Sequence, residues 1–513
     1  MKLETLLSAV GAVVDTAPTI EITSITPDSR TVVPGALFVA VCGVSVDGHA
    51  YIQDAFERGA AVVIGEKPHP DLDNYYQVPD ARKALGQLAA AWYGFPSQKL
   101  VLLGVTGTDG KTTTTNLLFH ILKTAGFKTG MISTVNAVIG DQLLDTGFHV
   151  TTPDAMEVQR YLAQMVEAGL SHCVLEATSH GLGQWRVAGC DFDLAVVTNI
   201  THEHLDFHGS YDAYRAAKAR LFELVQQASS KAFDPPRVAV LNRDDSSYEY
   251  LAEKTADLNT ICYGVHSEAD VRAQSVVSTL NGLDFEICIR GYNQQIHSNL
   301  YGDYNVSNIL AAYTLTVEGL GLDPVQVAQA ISSMGGIPGR MERIDLGQDF
   351  TAIVDFAHTP NALDNALHSA RALTDGKVIA VFGSAGLRDR AKRDMMARVS
   401  ACMADITILT AEDPRTESLD DILAGMAAAA EAEGAQLDLN LYCVSDRGDA
   451  IRKAVSLADS GDLVIACGKG HEQSMCFGET EYLWDDRTAM RAALAEHLHV
   501  DGPEMPYLPT SSS

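Results

Sequence analysis

A lysine and a run of threonines follow a glycine-bearing turn in the segment Val101–Asn116, VLLGVTGTDGKTTTTN. The apolar run Leu100–Val105 predicts a buried strand, and the residues from Lys111 onward predict a helix. Backbone N–H groups at such a turn converge on phosphate oxygens, while the helix dipole and the lysine add positive charge. The segment therefore predicts a phosphate-binding loop.

Glycine and hydroxyl positions refine this prediction. Gly107 and Gly110 allow close approach of the backbone and positive φ angles, and Thr112 is placed to offer its hydroxyl to Mg²⁺. The strict pattern needs glycine at position 105, where this chain has Val105, so the loop is a variant. A glycine-rich turn that merely precedes a helix is the alternative. It is less favoured because strand, turn, lysine, hydroxyl and helix occur in the order that phosphate binding needs.

Polar residues also follow two later predicted strands. The strand Cys173–Glu176 leads into Glu176–His180, and the strand Leu194–Thr198 leads into a short polar segment. That segment contains Asn199, His202, Glu203, His204, Asp206 and His208. Ligands of parallel sheets gather at the carboxyl ends of strands, so the segment predicts a Mg²⁺ or substrate site. Zinc is an alternative because of the histidines, although Mg²⁺ suits a phosphate site better.

Length and charge limit the classes of protein to consider. A chain of 513 residues suggests about three domains, which we place at residues 1–98, 99–337 and 338–513. The formal net charge of -29 makes the average surface repel nucleic acid and acidic membranes. We therefore expect no nucleic-acid partner. We also expect no membrane insertion, because no apolar run reaches the ~18 residues needed to span a bilayer.

Cysteine usage and the ends of the chain predict a cytoplasmic protein. The nine cysteines form no C-x-x-C pair, and several lie in apolar runs, among them Cys173, Cys288 and Cys467. Such cysteines are typical of reduced core residues, and we find no N-terminal signal pattern. The tail after Val500 is predicted to be frayed.

Alternating strands and helices predict an α/β fold with mostly parallel sheets. In the first predicted domain we expect strands Ile20–Ile25, Ala36–Val41 and Ala61–Ile64 and the helix Ala81–Tyr93. In the second we expect the strand Val238–Leu241, the helix Asp212–Gln227 with Lys218 on it, a hairpin in 270–300 around the Asn-Gly turn at 281–282, and the helix Val306–Leu320. In the third we expect strands Thr351–Asp355, Val378–Phe382, Ile406–Leu409, Leu441–Val444 and Leu463–Cys467, a doubly wound arrangement. Polar residues again follow these strands, at Asp355 and His358, Gly383–Arg393, Glu412–Arg415 and Gly468–Glu472.

Taken together, these motifs resemble the Mur ligases, ATP-dependent amide-bond ligases that build the peptide of the bacterial cell-wall precursor. The resemblance covers nearly the whole chain. It rests on Thr106–Thr114, Glu176–His180, Asn199–His208, Lys218, Asn305, Gly339–Arg343, Asp355–His358 and Gly468–Glu472. Within the family, the chain is similar to the members that add the third residue, a diamino acid. The resemblance implies a UDP-binding N-terminal domain, a central P-loop ATPase domain and a C-terminal Rossmann-like domain that binds the incoming amino acid.

The resemblance also implies roles for individual residues. ATP would be bound by Thr106, Gly107, Thr108, Asp109, Gly110, Lys111, Thr112, Thr113, Asn305, Arg340 and Asp355. Mg²⁺ would be held by Thr112, Glu176, His204 and Lys218, with Lys218 carried as a carbamate. The UDP-muramoyl dipeptide would be held by Ser29, the loop Val44–Val46, Thr151, Thr152, Thr178, Gln184 and Arg186. The diamino acid would be held by Arg388, Glu412, Asp413, Pro414, Arg415, Gly468 and Glu472.

Two departures from the family pattern bear on chemistry. Asp109 stands where relatives usually have asparagine, and a carboxylate beside phosphates is unfavourable unless it faces away or reaches a cation. Relatives selecting meso-diaminopimelate carry D-N-P-R, whereas this chain has Glu412–Arg415, E-D-P-R. The fork of Arg415 suits the distal carboxylate of diaminopimelate, which makes that amino acid the first expectation. Asp413 would favour an ammonium group, which leaves lysine or ornithine open.

The expected reaction transfers the γ-phosphoryl group of ATP to a substrate carboxylate, and the amine then displaces phosphate. Lys111, Lys218 and His204 are the expected catalytic residues, together with His358 or a nearby carboxylate as the acceptor of the amine proton. We expect a monomer whose three domains close around the substrates. The alternatives are another ligase of the superfamily, such as a folylpolyglutamate synthase, and a P-loop switch ATPase that forms no amide.

Overall fold

The computed structural model describes residues 1–11, 20–43, 46–134, 136–144, 152–201, 205–279 and 281–511, with the backbone alone at 205 and 206. The chain divides into two compact units. Unit 1 consists of Met1–Tyr263, Ser267–Asp270 and Ala311–Asp323, and unit 2 consists of Gly264–His266, Val271–Leu310 and Pro324–Ser513. Among the described helices, none combines the length and apolar character that crossing a membrane requires.

The N-terminal part of unit 1 is a small parallel sheet with helices against it. Its elements are α1 (Leu3–Ala9), β1 (Ile25–Thr26), β2 (Leu37–Ala40), α2 (Ile52–Glu57), β3 (Val62–Gly65), β4 (Tyr75–Gln77) and α3 (Ala81–Trp92). The sheet order is β1-β2-β3-β4. The predicted strand Ile20–Ile25 is wrong, because Ile22 N–H donates to the Met1 carbonyl and Thr23 N–H to the Gly35 carbonyl. Only Ile25 and Thr26 are left to pair with β2.

A second, larger sheet forms the rest of unit 1. Its elements are β5 (Val101–Thr106), α4 (Lys111–Thr124), β6 (Thr129–Ile132), β7 (Ala137–Ile139), β8 (Gln142–Leu144), α5 (Ala155–Glu167), β9 (His172–Glu176), α6 (Ser179–Gly183), β10 (Leu194–Val197), α7 (Leu205–His208), α8 (Tyr211–Gln227), β11 (Val238–Asn242), α9 (Tyr248–Lys254) and β12 (Asn259–Gly264). The strand order is β12-β11-β10-β5-β9-β6-β7-β8. Strands β12 to β6 in that order are parallel, and β7 and β8 are antiparallel additions. The central strands are buried along most of their length, which explains their continuous apolar sequences.

Helix α3 packs directly on the segment that follows α6. A Cβ atom at Gly189 would lie 2.3 Å from the Gly86 carbonyl oxygen, so the two backbones touch and only glycine fits at that point. Between α6 and Gly189, Trp185 lies beneath the Arg220 guanidinium, with 3.9 Å from the guanidinium carbon to the indole centroid. The Lys83 ammonium of α3 lies 5.0 Å from the same ring. These contacts fix the segment that carries Gln184 and Arg186.

The first part of unit 2 is an antiparallel three-strand arrangement, not the single predicted hairpin. Its elements are β13 (Val271–Thr279), β14 (Gly282–Ile289), β15 (Tyr292–Ser298), α11 (Pro324–Ser333) and the start of α10 (Tyr304–Thr314), whose residues from Ala311 onward belong to unit 1. The second turn is made by Arg290 and Gly291, both with positive φ. The predicted helix Val306–Leu320 ends its α-helical part at Thr314 and continues as a π-helical turn, Leu315–Gly319. The Thr316 hydroxyl bonds back to the Ala312 carbonyl at 2.8 Å, a contact that commonly distorts helices.

The second part of unit 2 is a doubly wound sheet, as predicted for the third domain. Its elements are β16 (Glu342–Ile344), β17 (Thr351–Asp355), α12 (Pro360–Ala372), β18 (Val378–Phe382), α13 (Arg390–Met403), β19 (Ile406–Leu409), α14 (Leu419–Glu431), β20 (Leu441–Cys443), α15 (Arg447–Leu457), β21 (Leu463–Cys467), β22 (Ser474–Phe477), β23 (Thr480–Leu483) and α16 (Asp486–Leu498). The sheet order is β16-β17-β21-β18-β19-β20, parallel except for β16. Strands β22 and β23 form a separate hairpin.

The C-terminal tail is packed, and the prediction that it frays after Val500 is wrong. The Leu508 side chain is fully buried in the core that β17, β21, α15 and α16 share. The hydroxyls of Thr510 and Ser511 each donate to Asp446 Oδ2 at 2.9 Å. One buried leucine and two hydroxyls thus anchor a tail whose other residues are mostly exposed.

Candidate functional site

The predicted phosphate-binding loop lies at the carboxyl end of β5, the middle strand of the larger sheet. Gly107 has φ of 151° and Gly110 has φ of 80°. A Cβ atom at Gly107 would lie 1.8 Å from Thr198 Oγ1, so this position tolerates only glycine. Helix α4 begins at Lys111 with Gly110 as its N-cap and without a side chain capping its first N–H groups. Those N–H groups form the positive end of the helix, where phosphate oxygens bind.

The segment after β10 holds the loop in place. Thr108 N–H donates to the Asn199 carbonyl at 2.7 Å, and Asp109 N–H donates to Asn199 Oδ1 at 2.9 Å. The Thr198 hydroxyl donates to the Asp109 carbonyl at 2.6 Å. Asn199, which the sequence placed at the head of the polar segment, is therefore a loop-holding residue. The backbone at Asp109 is fixed from both sides.

Two lysines converge on the same loop. Lys111 Nζ donates to the Thr108 carbonyl at 2.6 Å, and its side chain is only partly buried. Lys218, on α8, is 1% exposed and donates to the Gly107 carbonyl. The Lys218 ammonium also lies 4.5 Å from the ring centroid of Tyr214. The structure thus brings together the lysine in the loop and the lysine predicted on a distant helix.

Glu176, at the end of β9, faces the first turn of α4. Its side chain is 1% exposed. Thr112 Oγ1 donates to Glu176 Oε1 at 3.1 Å, and Thr134 donates to the same carboxylate through its hydroxyl at 2.8 Å and its N–H at 3.2 Å. A carboxylate and a threonine hydroxyl beside a phosphate-binding loop are oxygen donors of the kind that Mg²⁺ takes. The residues present therefore fit a Mg²⁺ site.

Part of the predicted site lies outside the described residues. This holds for His204 and Thr151, for His202 and Glu203, and for Val44 and Ser45 of the predicted loop Val44–Val46. At the described end of the polar segment, His208 contacts other aromatic rings. The ring of His208 lies 5.2 Å from that of Tyr214 and 5.7 Å from that of His180.

Four of the residues expected to hold the muramoyl dipeptide form one chain of hydrogen bonds: Thr152, Thr178, Gln184 and Arg186. Thr152 Oγ1 lies 3.0 Å from Thr178 Oγ1 and donates to the Glu176 carbonyl at 3.2 Å. Arg186 Nη1 donates to the Thr152 carbonyl at 2.6 Å, and Arg186 Nη2 donates to Gln184 Oε1 at 2.8 Å. Burial lowers the pKa of Arg186. Both of these acceptors are uncharged oxygens, so these hydrogen bonds do not neutralise the positive charge of Arg186.

Ser29 is in a different setting. It opens a short 3₁₀ helix, Ser29–Thr31, whose N-cap Asp28 accepts a hydrogen bond from Arg30 N–H. Ser29 is 7% exposed, and the pKa of the Asp54 carboxyl is lowered first by Arg58 and then by Ser29. The predicted uridine diphosphate contact thus rests on a largely buried serine.

In unit 2, the Asp355 carboxylate holds the backbone next to Arg340, which is a predicted nucleotide contact. The two oxygens of the Asp355 carboxylate accept from Met341 N–H at 2.7 Å and Ala357 N–H at 2.8 Å. Burial raises the pKa of Asp355, although Arg340 and these N–H groups act in the opposite direction. The Arg340 guanidinium lies 4.3 Å from the Phe356 ring centroid and donates to His471 Nδ1 at 3.1 Å. Burial first, and then Arg340, lowers the pKa of His471 well below its ordinary value, so the ring accepts this bond as neutral imidazole.

His358 has a defined proton arrangement. Its Nδ1 lies 3.0 Å from the Phe356 carbonyl oxygen. A carbonyl oxygen only accepts, so Nδ1 carries a proton and Nε2 is the ring nitrogen at which a further proton could bind. Asn305, the other predicted nucleotide contact near the start of α10, is 5% exposed. It donates to the Tyr301 carbonyl at 2.7 Å and accepts from Asn308 at 2.8 Å.

The loop Glu412–Arg415 lies beside the turn at Gly468. A Cβ atom at Gly468 would lie 2.4 Å from Glu412 Oε2, so the glycine makes room for this carboxylate. Burial raises the pKa of Glu412 to about 7, against the opposing charges of Arg447, Lys392 and Lys469. Within the described part of the chain, Glu412 Oε2 is buried without a hydrogen-bond partner.

Asp413 is neutralised by a lysine of the chain itself. Lys469 Nζ lies 3.0 Å and 3.1 Å from the two oxygens of Asp413, and 2.5 Å from Glu472 Oε2. Lys469 and Asp413 are both buried. Cys476 N–H also donates to Asp413 Oδ1 at 2.9 Å. Asp413 thus already pairs with an ammonium of the chain itself, which argues against the expectation that it would bind a substrate ammonium.

Arg415 and Arg388 lie nearby and are more accessible. Arg415 is half-buried with φ of 54°, and its guanidinium makes no hydrogen bond or ion pair with any described residue. Arg388 is exposed. Its loop is held to the Glu412–Arg415 loop by Gly386 N–H, which donates to the Asp413 carbonyl at 2.9 Å. Pro414 is buried, and a Cβ atom at Gly386 would lie 1.9 Å from its carbonyl oxygen.

A separate group with metal-ligand chemistry lies in the first sheet. Cys42, Asp47 and His49 have ligand atoms within 4.8 Å of one another. His49 Nε2 accepts the N–H groups of Glu66 and Lys67 at 2.9 and 3.2 Å. His49 Nδ1 must therefore carry the proton that it shares with Asp47 Oδ1 at 2.7 Å. A nitrogen that carries a proton cannot ligate a metal, so the arrangement is a structural hydrogen-bond network.

Three side chains of these sites were not expected from the sequence. Tyr214 contacts Thr108 of the phosphate loop, and Thr134 contacts the Glu176 carboxylate. Lys469, which pairs with Asp413, was noted only as part of the segment Gly468–Glu472. Tyr214 had a usable signal, because it stands four residues before Lys218 on one helix face. Lys469 had none, because it lies 56 residues from Asp413.

Comparison with known proteins identifies the chain's family. Three family models match: "Mur ligase family, catalytic domain" at residues 21–93, "Mur ligase middle domain" at 105–316 and "Mur ligase, glutamate ligase domain" at 339–470. The UDP-N-acetylmuramyl-tripeptide synthetase of Roseiflexus sp. (strain RS-1) is 46% identical over 489 residues, covering 93% of this chain and 95% of the relative. The chain belongs to the Mur ligase family. As a Mur ligase, it is an ATP-dependent amide-bond ligase.

Other Mur ligases are similar over similar lengths. The UDP-N-acetylmuramoyl-L-alanyl-D-glutamate–2,6-diaminopimelate ligase of Geobacillus thermodenitrificans (strain NG80-2) is 40% identical, covering 97% of this chain and all of the relative. A solved structure of a ligase with the same name is 28% identical with a TM-score of 0.68, covering 98% of this chain and all of that chain. The MurF ligase of Thermotoga maritima, solved in complex with ADP, shares the fold at 19% identity and a TM-score of 0.55. The predicted α/β Mur ligase fold, with a central parallel-sheet domain and a C-terminal domain, is confirmed.

Proposed function

We propose that this Mur ligase adds meso-2,6-diaminopimelate to UDP-N-acetylmuramoyl-L-alanyl-D-glutamate in the synthesis of peptidoglycan precursor. The observation that carries the choice of amino acid is the pairing of Asp413 with Lys469 beside an Arg415 guanidinium that has no partner in the described chain. The free positive charge here belongs to arginine, which suits a distal carboxylate and disfavours a distal ammonium. Relatives named as 2,6-diaminopimelate ligases support the same choice.

The three-domain division follows from this proposal. Residues 1–98 would bind the UDP part, 99–337 would carry the ATPase, and 338–513 would bind the incoming amino acid. The ranges matched by the family models, 21–93, 105–316 and 339–470, fall inside these boundaries. ATP and UDP-linked precursors are cytoplasmic metabolites, so we assign the ligase to the cytoplasm.

Nucleotide binding is proposed at the loop after β5. The N–H groups of Gly107 and of Gly110 to Thr113, together with the Lys111 ammonium, would hold the β- and γ-phosphates, since the N–H groups of Thr108 and Asp109 already donate to Asn199. Mg²⁺ would be held by Thr112, by Glu176 and, once carbamylated, by Lys218, with His204 as a further proposed ligand. When bound, Mg²⁺ neutralises charge that develops on the transferring phosphoryl group. Carbamylation would turn the ammonium of Lys218, which now donates to the Gly107 carbonyl, into an oxygen ligand.

The remaining nucleotide contacts are proposed on unit 2. Arg340, held by His471 and Phe356, and Asn305, held by Asn308, are oriented by their neighbours, which favours binding by reducing the loss of side-chain freedom. Asp355 acts through the backbone at Met341, whose N–H it accepts. We therefore assign Asp355 the role of shaping this site.

The reaction proceeds in two steps. The dipeptide carboxylate, directed by Arg186 and Thr152, attacks the γ-phosphorus of ATP, and the bond to ADP breaks to give an acyl phosphate. The neutral amine of the diamino acid then attacks the acyl carbon, a tetrahedral intermediate forms, and inorganic phosphate leaves with the bonding electrons. The amine proton must pass to a base, and His358 Nε2 is the group we assign, because Nδ1 already carries a proton.

A phosphate-release assay with a panel of amino acids tests the proposal. We expect phosphate release that requires ATP, the UDP-muramoyl dipeptide and diaminopimelate together, with lysine and ornithine poor substrates. Efficient use of lysine or ornithine would overturn the choice of amino acid, but it would not contradict the ligase activity. ATP hydrolysis that ignores the dipeptide would contradict ligation of this substrate and favour a switch ATPase.

A further inference from the structure

Tyr214 joins the phosphate loop to the lysine on α8. It is fully buried, and its hydroxyl lies 2.9 Å from Thr108 Oγ1. The Lys218 ammonium lies 4.5 Å from its ring centroid. We infer that Tyr214 is a positioning residue for the ligation reaction, holding Thr108 through its hydroxyl and Lys218 through its ring. The inference rests on the proposed ATP and Mg²⁺ site.

The contact of the Tyr214 hydroxyl affects the loop because Thr108 also makes hydrogen bonds to the segment after β10. Thr108 Oγ1 accepts the N–H of Thr201 at 3.0 Å, and Thr108 N–H donates to the Asn199 carbonyl at 2.7 Å. Both of these bonds come from the segment after β10, whereas Tyr214 approaches from α8. Tyr214 thus links the loop to α8 at Thr108, one residue beyond Gly107, where Lys218 of the same helix makes its own bond to the loop. Loss of this bond would loosen the phosphate cradle and weaken ATP binding.

The ring contact acts on Lys218. Tyr214 stands one turn before Lys218 on α8, so its ring lies beside the lysine on the same helix face. The tyrosine ring limits the space in which Lys218 Nζ can move, and the Gly107 carbonyl accepts a hydrogen bond from Nζ. If Lys218 supplies a metal ligand, its position sets the rate of the chemical step. Loss of the ring should therefore lower kcat, whereas loss of the hydroxyl alone should not.

Two substitutions separate the two contacts. Tyr214→Phe removes the hydroxyl and keeps the ring, so we expect the Kd and KM for ATP to rise about fivefold with kcat near the parent value. Tyr214→Leu removes both, so we expect the same rise together with a fall in kcat of about tenfold. Tyr161→Phe is the matched control, because Tyr161 belongs to the same buried core as Tyr214 but lies on α5.

The Thr108 side of the link has its own test. Thr108→Val removes the partner hydroxyl, so Tyr214→Phe added to it should raise the Kd for ATP no further. ATP binding is measured by titration in the presence of Mg²⁺, and kcat by phosphate release. Thermal unfolding midpoints of all variants are compared with that of Tyr161→Phe.

The outcomes distinguish this inference from the proposed function. Variants of Tyr214 that change Kd, KM and kcat no more than Tyr161→Phe does would overturn the inference. Additive effects of Thr108→Val and Tyr214→Phe would overturn the link between the two hydroxyls. Undiminished ATP binding by Lys111→Ala would instead overturn the proposed nucleotide site itself. If Lys111→Ala loses ATP while Tyr214→Phe binds like the parent protein, only the positioning role fails.

Discussion

Thr112 donates its hydroxyl to Glu176 across 3.1 Å, joining the first turn of α4 to the end of β9. Thr134 donates to the same carboxylate at 2.8 Å. The carboxylate is therefore oriented before any cation arrives, which reduces the reorganisation that binding requires. This contact makes metal dependence the most direct property to test.

Glu176→Gln should raise the Mg²⁺ concentration for half-maximal activity by about tenfold or more, because an amide is a weaker ligand than a carboxylate. Thr112→Val should shift it in the same direction. The measurement is phosphate release over a Mg²⁺ titration at saturating ATP. Thr115→Val is the control on the same helix, since the Thr115 hydroxyl is buried without a hydrogen-bond partner among the described residues. Equal Mg²⁺ curves for all variants would exclude a metal site at Glu176.

Lys111→Ala should lower ADP formation by at least about a hundredfold, because it removes the full positive charge of the phosphate loop. Binding of the UDP-muramoyl dipeptide should persist, since that substrate is assigned to other residues. Lys123→Ala, in the last turn of the same helix and exposed, should behave like the parent protein. Unchanged turnover by Lys111→Ala would contradict the role of the loop.

Lys218→Ala should be inactive and should recover part of its activity on addition of short-chain carboxylic acids. Such acids would supply the carboxylate that a carbamate would otherwise provide in the space left by the buried side chain. Lys111→Ala should show no recovery, because its missing group is a cation. A folded Lys218→Ala protein that no acid rescues would count against the carbamate.

Arg415→Ala should raise the KM for diaminopimelate by about tenfold or more, because a charged hydrogen bond is lost. Use of lysine should change less. Lys469→Met frees the buried Asp413 carboxylate and should move preference toward lysine, while Lys469→Met with Asp413→Asn should abolish that shift. Equal losses for both amino acids in Arg415→Ala would remove the structural argument for diaminopimelate.

Glu412 should make folding stability depend on pH. Its pKa is raised from 4.5 to about 7 by burial, so the folded protein holds the proton more tightly than the unfolded chain does. Its contribution is full below about pH 4.5 and is lost as pH rises through about 7, a change of about 3 kcal/mol. Thermal unfolding of Glu412→Gln should lack this loss. Glu431→Gln, at an exposed position on α14, should keep it.

Buried parallel strands were the part of the fold best predicted from sequence. The predicted bounds Thr351–Asp355, Val378–Phe382, Ile406–Leu409 and Leu463–Cys467 coincide with the observed strands. Such strands are covered on both faces, so their sequences are uninterrupted apolar runs. The edge strand near Ile25 was overestimated, because Ile22 pairs with the chain start and no local pattern reveals that partner.

The candidate site divides in the same way. The phosphate loop could be predicted because its glycines, lysine and threonine lie within one short segment. The Asp413–Lys469 pair could not, because 56 residues separate the two and only the fold brings them together. The role of Tyr214 needed the loop and α8 to be in place, since a tyrosine on a helix is most often a core residue.

The anchoring of the tail has a practical consequence for handling the protein. Thr510 and Ser511 share Asp446 Oδ2 as acceptor, and Asp446 Oδ1 caps α15 through Asp449 N–H. A purification tag or fluorescent fusion joined directly after these residues would disturb the N-cap of α15 and the packing of Leu508. A flexible spacer after residue 513 would leave these contacts intact.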